Sequence, residues 1–128
     1  TQFAALERHW DDYDFFFVHY KATDTAGEDG DFARKVQAIR DFDQELPQLL
    51  ALEPDVLVIT GDHSSPATMA AHSWHPVPLL MHGATVRPDG ARRFTELDCA
   101  TGGLGTIPAT EVLPVAFAHG GRLAKFGA

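Results

Sequence analysis

Two uninterrupted apolar runs, each of strand length, constrain the fold of this chain most strongly. Residues 14–20 read Asp-Phe-Phe-Phe-Val-His-Tyr, and residues 55–60 read Asp-Val-Leu-Val-Ile-Thr. Strands without polar alternation are typical of a parallel sheet that is covered on both faces. A third, shorter apolar run lies at 77–82. The sequence therefore predicts an α/β fold in which strands at about 14–20, 55–60 and 77–82 are mostly parallel.

Helical patterns precede the first predicted strand and separate it from the second. Residues 2–12 carry apolar side chains three and four positions apart, which predicts a helix. A polar, glycine-containing loop is expected at 21–30, followed by a longer helix over 31–52 that packs on the sheet. Pro47 is expected to kink or split that helix. The apolar stripe expected to face the sheet comprises Phe32, Val36, Ile39 and Phe42.

Composition limits the classes of partner. The net charge of −8 argues against nucleic acid, because a phosphate backbone requires a basic protein face. No apolar run approaches the roughly 18 residues of a membrane helix, so no membrane partner is expected. The single cysteine, Cys99, excludes an internal disulfide and favours a reducing cytoplasm. The length fits a single domain over residues 1–128, and the start at Thr1, without an initiator Met, suggests a fragment or a processed chain.

Acidic and imidazole side chains follow the first two predicted strands. Asp24 and Glu28 come after the first strand, Asp62 and His63 come at the end of the second, and His72 follows. In an open α/β sheet, ligands bind at the carboxyl ends of the strands. Carboxylate and imidazole together suit Mn²⁺ or Zn²⁺. We therefore expect the five side chains to converge on a divalent-metal centre, with the adjacent pair serving two neighbouring ions, or one ion if the strand has ended.

Each short motif also has a plainer interpretation. The carboxylates after the first strand can be a solvated pair, residues 62–63 can cap a helix, and the histidines can be surface residues. Residues 102–105 are glycine-rich but follow no convincing strand, which favours a flexible loop over a phosphate cradle. No Gly-x-Ser-x-Gly pattern surrounds Ser64 and Ser65, which argues against a hydrolase triad. Lys21 can pair with a substrate phosphate or with a neighbouring carboxylate.

Taken in order, these motifs resemble the C-terminal portion of the archaeal-type 2,3-bisphosphoglycerate-independent phosphoglycerate mutases, which are metalloenzymes of the alkaline phosphatase superfamily. The resemblance covers nearly the whole chain. It is carried by residues 19–24, 27–31, Lys35, Asp43, 60–66, 72–78 and 125–128. It implies part of an alkaline-phosphatase-like, three-layer α/β/α domain with a mostly parallel sheet.

The resemblance also implies two divalent metal ions, preferably Mn²⁺, with Zn²⁺, Mg²⁺ and Co²⁺ as alternatives. One ion would be held by Asp24, Glu28 and His72. The second would be held by Asp62 and His63, together with an Asp and a nucleophilic Ser from a missing N-terminal segment. Glu28 stands where the family motif has His, so the first site is expected either to prefer harder ions or to be weakened.

The implied activity is a metal-dependent isomerisation, the interconversion of 3-phosphoglycerate and 2-phosphoglycerate through a phosphoserine intermediate. No catalytic residue is expected in this chain, and Lys21 is the candidate substrate-binding residue. The isolated chain is expected to be inactive. The alternatives are a fragment of a related phosphatase or phosphonate-cleaving metalloenzyme, and a non-catalytic metal-binding or interaction module.

Overall fold

The computed structural model describes residues 2–125 of the chain. The helices and strands are α1 (Gln2–Arg8), α2 (Ala22–Glu28), α3 (Phe32–Leu50), β1 (Val56–Thr60), β2 (Leu79–Gly83), α4 (Glu96–Cys99) and α5 (Val112–His119). Short 3₁₀ helices lie at Trp10–Asp12 and Ala109–Glu111. Among the described residues, no helix is both long and apolar enough to cross a membrane. Of the closing motif of the resemblance, at 125–128, the last three residues lie outside the described residues.

The chain divides into two compact units. The first unit comprises the chain up to Pro54 together with Ser65–Ser73. The second comprises Asp55–Ser64 together with the chain from Trp74 onward. The single domain expected over residues 1–128 stays a prediction.

Aromatic and small apolar side chains form the core of the first unit. Phe3 of α1 is buried, and its ring packs on that of Phe42 in α3 with the centroids 5.8 Å apart. The ring of Tyr20 also packs on that of Phe42, with the ring centroids 5.3 Å apart. Ala26 of α2 and Ala38 of α3 are both buried, and such small side chains allow close packing of their helices.

The long helix predicted over 31–52 is confirmed by α3, but Pro47 does not split it. The carboxylate of Asp31 caps the helix by accepting the backbone N–H of Arg34 at 2.9 Å. Pro47 lies in the last turn, and the helix continues to Leu50. The missing proline N–H removes a hydrogen bond only near the end of the helix, where the break is least costly.

The apolar stripe predicted on α3 is only partly covered. Phe32 and Ile39 are 68% and 51% exposed, whereas Phe42 packs on Phe3. Ala38, outside the predicted stripe, is the buried position of this helix. The apolar periodicity therefore identified the helix but not the face that its neighbours cover. The packing of this helix on the sheet stays a prediction.

The strand predicted at 14–20 is absent. Among the described residues there is one sheet, of two strands, and neither strand includes this segment. A strand needs a neighbour that pairs with its backbone N–H and C=O groups, and an apolar composition does not supply one. Phe15 and Phe17 are 51% and 82% exposed, so the segment lacks the cover on both faces that a central parallel strand would have.

The two strands that do form, β1 and β2, are antiparallel, which contradicts the parallel arrangement predicted for them. The register runs from Val56 opposite Gly83 to Thr60 opposite Leu79. Parallel neighbours require a crossover connection, which is usually a helix. Residues 61–78, all of which the structure describes, contain no helix, and the chain reverses direction. The mixed α/β class is confirmed, with a smaller sheet than predicted.

Two aspartate carboxylates accept hydrogen bonds from nearby groups in the segment after β2. The backbone N–H of Gly103 donates to Asp89 at 2.6 Å, and this bond is the main reason that the pKa of Asp89 is lowered. The Arg93 guanidinium donates to Asp98 at 3.2 Å and lowers the pKa of that carboxyl in the same way. Because the Gly103 N–H already binds a carboxylate, the geometry argues against a phosphate cradle at 102–105.

Candidate metal centre

The segment at 21–30 folds as α2 and is not the predicted loop. The backbone N–H of Thr25 donates to the carbonyl of Lys21 at 3.1 Å, which closes the first turn. The loop prediction relied on the polar composition and on Gly27, which lowers helix propensity by about 1 kcal/mol relative to Ala. In a folded protein, most helical stability comes from tertiary packing, and this outweighs a weak local propensity.

Asp24, Glu28 and His72 come together in the first unit. Asp24 and Glu28 are four residues apart on α2 and therefore lie on the same helix face. The Nε2 atom of His72 lies 3.1 Å from Oε1 of Glu28 and 3.6 Å from Oδ1 of Asp24. Oxygens of both carboxylates thus lie within 3.6 Å of the same imidazole nitrogen, and carboxylates and imidazoles are donor types that divalent ions bind. Their role as metal ligands stays a prediction.

Asp24 is the least exposed member of this cluster. Its side chain is 12% exposed, against 47% for Glu28 and 51% for His72. A carboxylate removed from water needs partners for its charge and its lone pairs. The Lys21 ammonium pairs with Oδ2 of Asp24, and the Ser65 hydroxyl donates to Oδ1. Of the two interpretations of Lys21, the structure shows the ion pair, and substrate binding stays a prediction.

Ser65 is the residue of this cluster that the sequence did not reveal. Its side chain is buried, and its partner Asp24 lies 41 positions away in the chain. The backbone carbonyl of Ser65 accepts a hydrogen bond from the Lys35 ammonium. From its sequence context Ser65 could be considered only as a nucleophile, because nothing local signals a hydrogen bond over such a distance.

Gly27 allows the backbone of Ser65 to approach α2. A Cβ atom at position 27 would lie only 2.2 Å from the carbonyl oxygen of Ser65. A glycine in the middle of a helix is usually less stable than alanine by about 1 kcal/mol. Here the close approach reverses that preference, since any side chain at this position would push Ser65 away.

We expect Gly27→Ala to destabilise the protein by about 1–3 kcal/mol, the range typical of overpacking. The measurement is the free energy of unfolding from denaturant titration. Gly90→Ala is the matched control, because a Cβ there would meet no atom within 4 Å. A gain in stability for Gly27→Ala, as ordinary helix propensity predicts, would contradict the close approach.

Asp62 and His63 belong to the second unit, directly after β1. The Nε2 atom of His63 lies 3.4 Å from Oδ2 of Asp62, and the His63 backbone N–H donates to Oδ1 at 3.1 Å. Asp62 is 71% exposed. Residues 64–78, all described, form no helix, so the helix-cap interpretation of this pair is not supported. The convergence of this pair with the α2 carboxylates stays a prediction.

Tyr20 precedes Lys21 and remains a neutral phenol. Partial burial is the main cause that raises the pKa of Tyr20, and the nearby carboxylates of Asp41 and Glu45 raise it further. The hydroxyl of Tyr20, near the α3 carboxylates Asp41 and Glu45, therefore offers a hydrogen-bond donor and acceptor but no charge at neutral pH.

Residues 3–118 of the chain match the metalloenzyme superfamily. Curated relatives from Thermotoga neapolitana and Thermus thermophilus are each 54% identical to this chain, over 96% and 97% of its length. A relative from Aquifex aeolicus is 53% identical over 96% of the chain. All three are named probable 2,3-bisphosphoglycerate-independent phosphoglycerate mutase. The chain spans 30–31% of the length of these relatives.

A solved structure of a Pyrococcus horikoshii protein has the same fold. It superposes with a TM-score of 0.92 and is 39% identical in sequence. The match covers 98% of this chain and 39% of that protein.

Proposed function

Because this chain belongs to the metalloenzyme superfamily, we propose that it forms the metal-binding part of a 2,3-bisphosphoglycerate-independent phosphoglycerate mutase. Relatives with this name are 50–54% identical to it. The chain spans about 30% of their length, so the activity and substrate of a whole enzyme belong to the proposal. The observation that carries the proposal is the contact of the His72 imidazole with the carboxylates of both Asp24 and Glu28 in the first unit.

The proposed reaction interconverts 3-phosphoglycerate and 2-phosphoglycerate, a glycolytic isomerisation, through a phosphoserine intermediate. The nucleophilic serine and one aspartate ligand would come from a polypeptide segment outside this chain. Ser65 does not fit the role of nucleophile, because it is buried and its hydroxyl donates to Asp24. A cytoplasmic setting is part of the proposal, since the single cysteine, Cys99, is free and glycolytic substrates are cytoplasmic.

The donor set of the first unit fits a divalent ion. The carboxylates of Asp24 and Glu28 and the imidazole of His72 combine oxygen and nitrogen donors, which suits Mn²⁺ and Zn²⁺. We propose Mn²⁺ as the preferred ion, with Zn²⁺, Mg²⁺ and Co²⁺ as alternatives, and Asp62 and His63 as ligands of a second ion. When bound, such ions offset the charge of the phosphoryl oxygens and lower the pKa of a nucleophilic hydroxyl.

Lys21 is the proposed substrate-binding residue of this chain. Its side chain is 57% exposed, and its ammonium pairs with Asp24 three residues away on the same helical turn. The Lys21 end of the pair is open to solvent, so a doubly charged phosphate can reach the ammonium and compete for it with the single charge of Asp24. Lys21 would thereby hold the phosphate beside the carboxylates that bind the ion.

A chimera tests the proposed function directly. This chain would replace the matching part of the Thermus thermophilus relative, to which it is 54% identical. We expect the chimera to convert 3-phosphoglycerate to 2-phosphoglycerate in the presence of Mn²⁺, measured with an enolase-coupled assay. Release of inorganic phosphate without 2-phosphoglycerate would favour a phosphatase instead. A folded chimera with neither activity would favour a non-catalytic module.

A further inference from the structure

A buried serine holds the least exposed carboxylate of the metal cluster. Ser65 is 4% exposed, and its hydroxyl donates to Oδ1 of Asp24. We propose that Ser65 is a positioning residue that fixes the Asp24 carboxylate for metal binding. This inference rests on the proposed function, because it assumes that Asp24 is a metal ligand.

The hydrogen bond from Ser65 sets the orientation of the carboxylate. A carboxylate can rotate about its last torsion, and this rotation decides which lone pairs face an ion. The Ser65 hydroxyl occupies one lone pair of Oδ1, while the Lys21 ammonium pairs with Oδ2. Both oxygens of Asp24 are thus engaged from defined directions. Carboxylate ligands held in this way by outer partners bind metal more tightly than unsupported ones.

Ser65 is itself held by two helices. The Lys35 ammonium of α3 donates to the carbonyl of Ser65, in a partly buried contact. On the side of α2, the absence of a side chain at Gly27 leaves space for that same carbonyl. A short helix such as α2 has little stability of its own. Contacts from α3 through Ser65 therefore give Asp24 a support that does not depend on α2 alone.

The test measures how tightly the purified chain binds Mn²⁺, by titration followed with electron paramagnetic resonance. We expect Ser65→Ala to weaken the Asp24-dependent binding by about 10- to 100-fold, the usual effect of removing an outer partner of a ligand. The matched control is Thr25→Val, which removes a hydroxyl from the residue next to Asp24. That hydroxyl donates only to the carbonyl of Lys21, at 3.3 Å. Binding by the control should equal that of the wild type.

A double-mutant cycle separates positioning from general destabilisation. If Ser65 acts through Asp24, then Ser65→Ala should weaken binding little further in an Asp24→Asn background. In a Glu28→Gln background, Ser65→Ala should still lower the Mn²⁺ affinity by the full 10- to 100-fold. A merely structural role would lower affinity equally in both backgrounds, in parallel with the unfolding midpoint of the metal-free protein, and would overturn the inference.

The two proposals fail in different ways. Wild-type affinity in Ser65→Ala, combined with a loss of binding in Asp24→Asn, would overturn the positioning role and leave the metal site intact. Wild-type affinity in Asp24→Asn would show that Asp24 is not a ligand, and would overturn both the metal site and the role of Ser65.

Discussion

The 128-residue chain alone is expected to show no turnover of 3-phosphoglycerate, even with saturating Mn²⁺. Transfer through a covalent intermediate requires an activated nucleophile in line with the phosphorus atom. The buried Ser65 donates its hydroxyl to Asp24, and the proposal assigns the other site residues to metal or substrate binding. We therefore expect the rate of the isolated chain to equal the uncatalysed rate, so that the whole rate enhancement of an active enzyme is missing. An enolase-coupled assay of the purified chain measures it.

The same assay can contradict this expectation. Turnover above background that disappears in an Asp62→Ala variant would show that the chain carries its own nucleophile. The chimera with the Thermus thermophilus relative serves as the positive control, because it restores the remaining length of that relative around this chain. An active chimera beside an inactive isolated chain is the result we expect.

Asp24→Ala is expected to reduce Mn²⁺ affinity by at least about 100-fold. Asp24 is the least exposed ligand candidate, and its Oδ1 lies 3.6 Å from Nε2 of His72. Its removal leaves one carboxylate and one imidazole, each about half exposed, to hold the ion. Even the loss of an outer partner costs 10- to 100-fold, so the loss of a ligand should cost at least as much. Isothermal titration with Mn²⁺ measures the change.

Asp29→Ala is the matched control for charge. Asp29 follows α2 directly, is 54% exposed, and pairs with Arg34 at 2.8 Å outside the ligand cluster. Its removal lowers the net negative charge by the same amount as Asp24→Ala. Equal losses of affinity in the two variants would mean that Mn²⁺ responds to overall charge, and the cluster would then not be a metal site.

The elements that local pattern determines were predictable from the sequence. The α3 helix follows from its apolar periodicity, and an aspartate next to a helix start is a favoured cap, as Asp31 is here. The β1 strand follows from its apolar run. The first predicted strand, at 14–20, is absent because pairing depends on a neighbour and not on composition. The prediction that β2 runs parallel to β1 was also wrong, since strand direction depends on the connecting segment and not on the strand itself.

For the candidate site, the sequence indicated residue types that can bind metal but not the contacts between them. Asp24, Glu28 and His72 could be named as candidate ligands because carboxylates and imidazoles are recognisable metal-binding types, and their role as ligands stays a prediction. That Asp24 and Glu28 share one helix face was not foreseen, because α2 has weak helix propensity. Ser65 was missed as a partner of Asp24, because serine has many roles and the contact joins distant parts of the chain.

The shortness of α2 links metal binding to folding. A helix of seven residues is not stable in isolation, so Asp24 and Glu28 have no fixed spacing in the unfolded chain. An ion held by both can therefore bind only the folded protein. Thermodynamic linkage then requires that the free energy of unfolding of the first unit rises as the ion concentration exceeds the dissociation constant. At an ion concentration a thousand times that constant, the increase is about 4 kcal/mol. The ion would act as a folding ligand for this part of the chain as well as a participant in its chemistry.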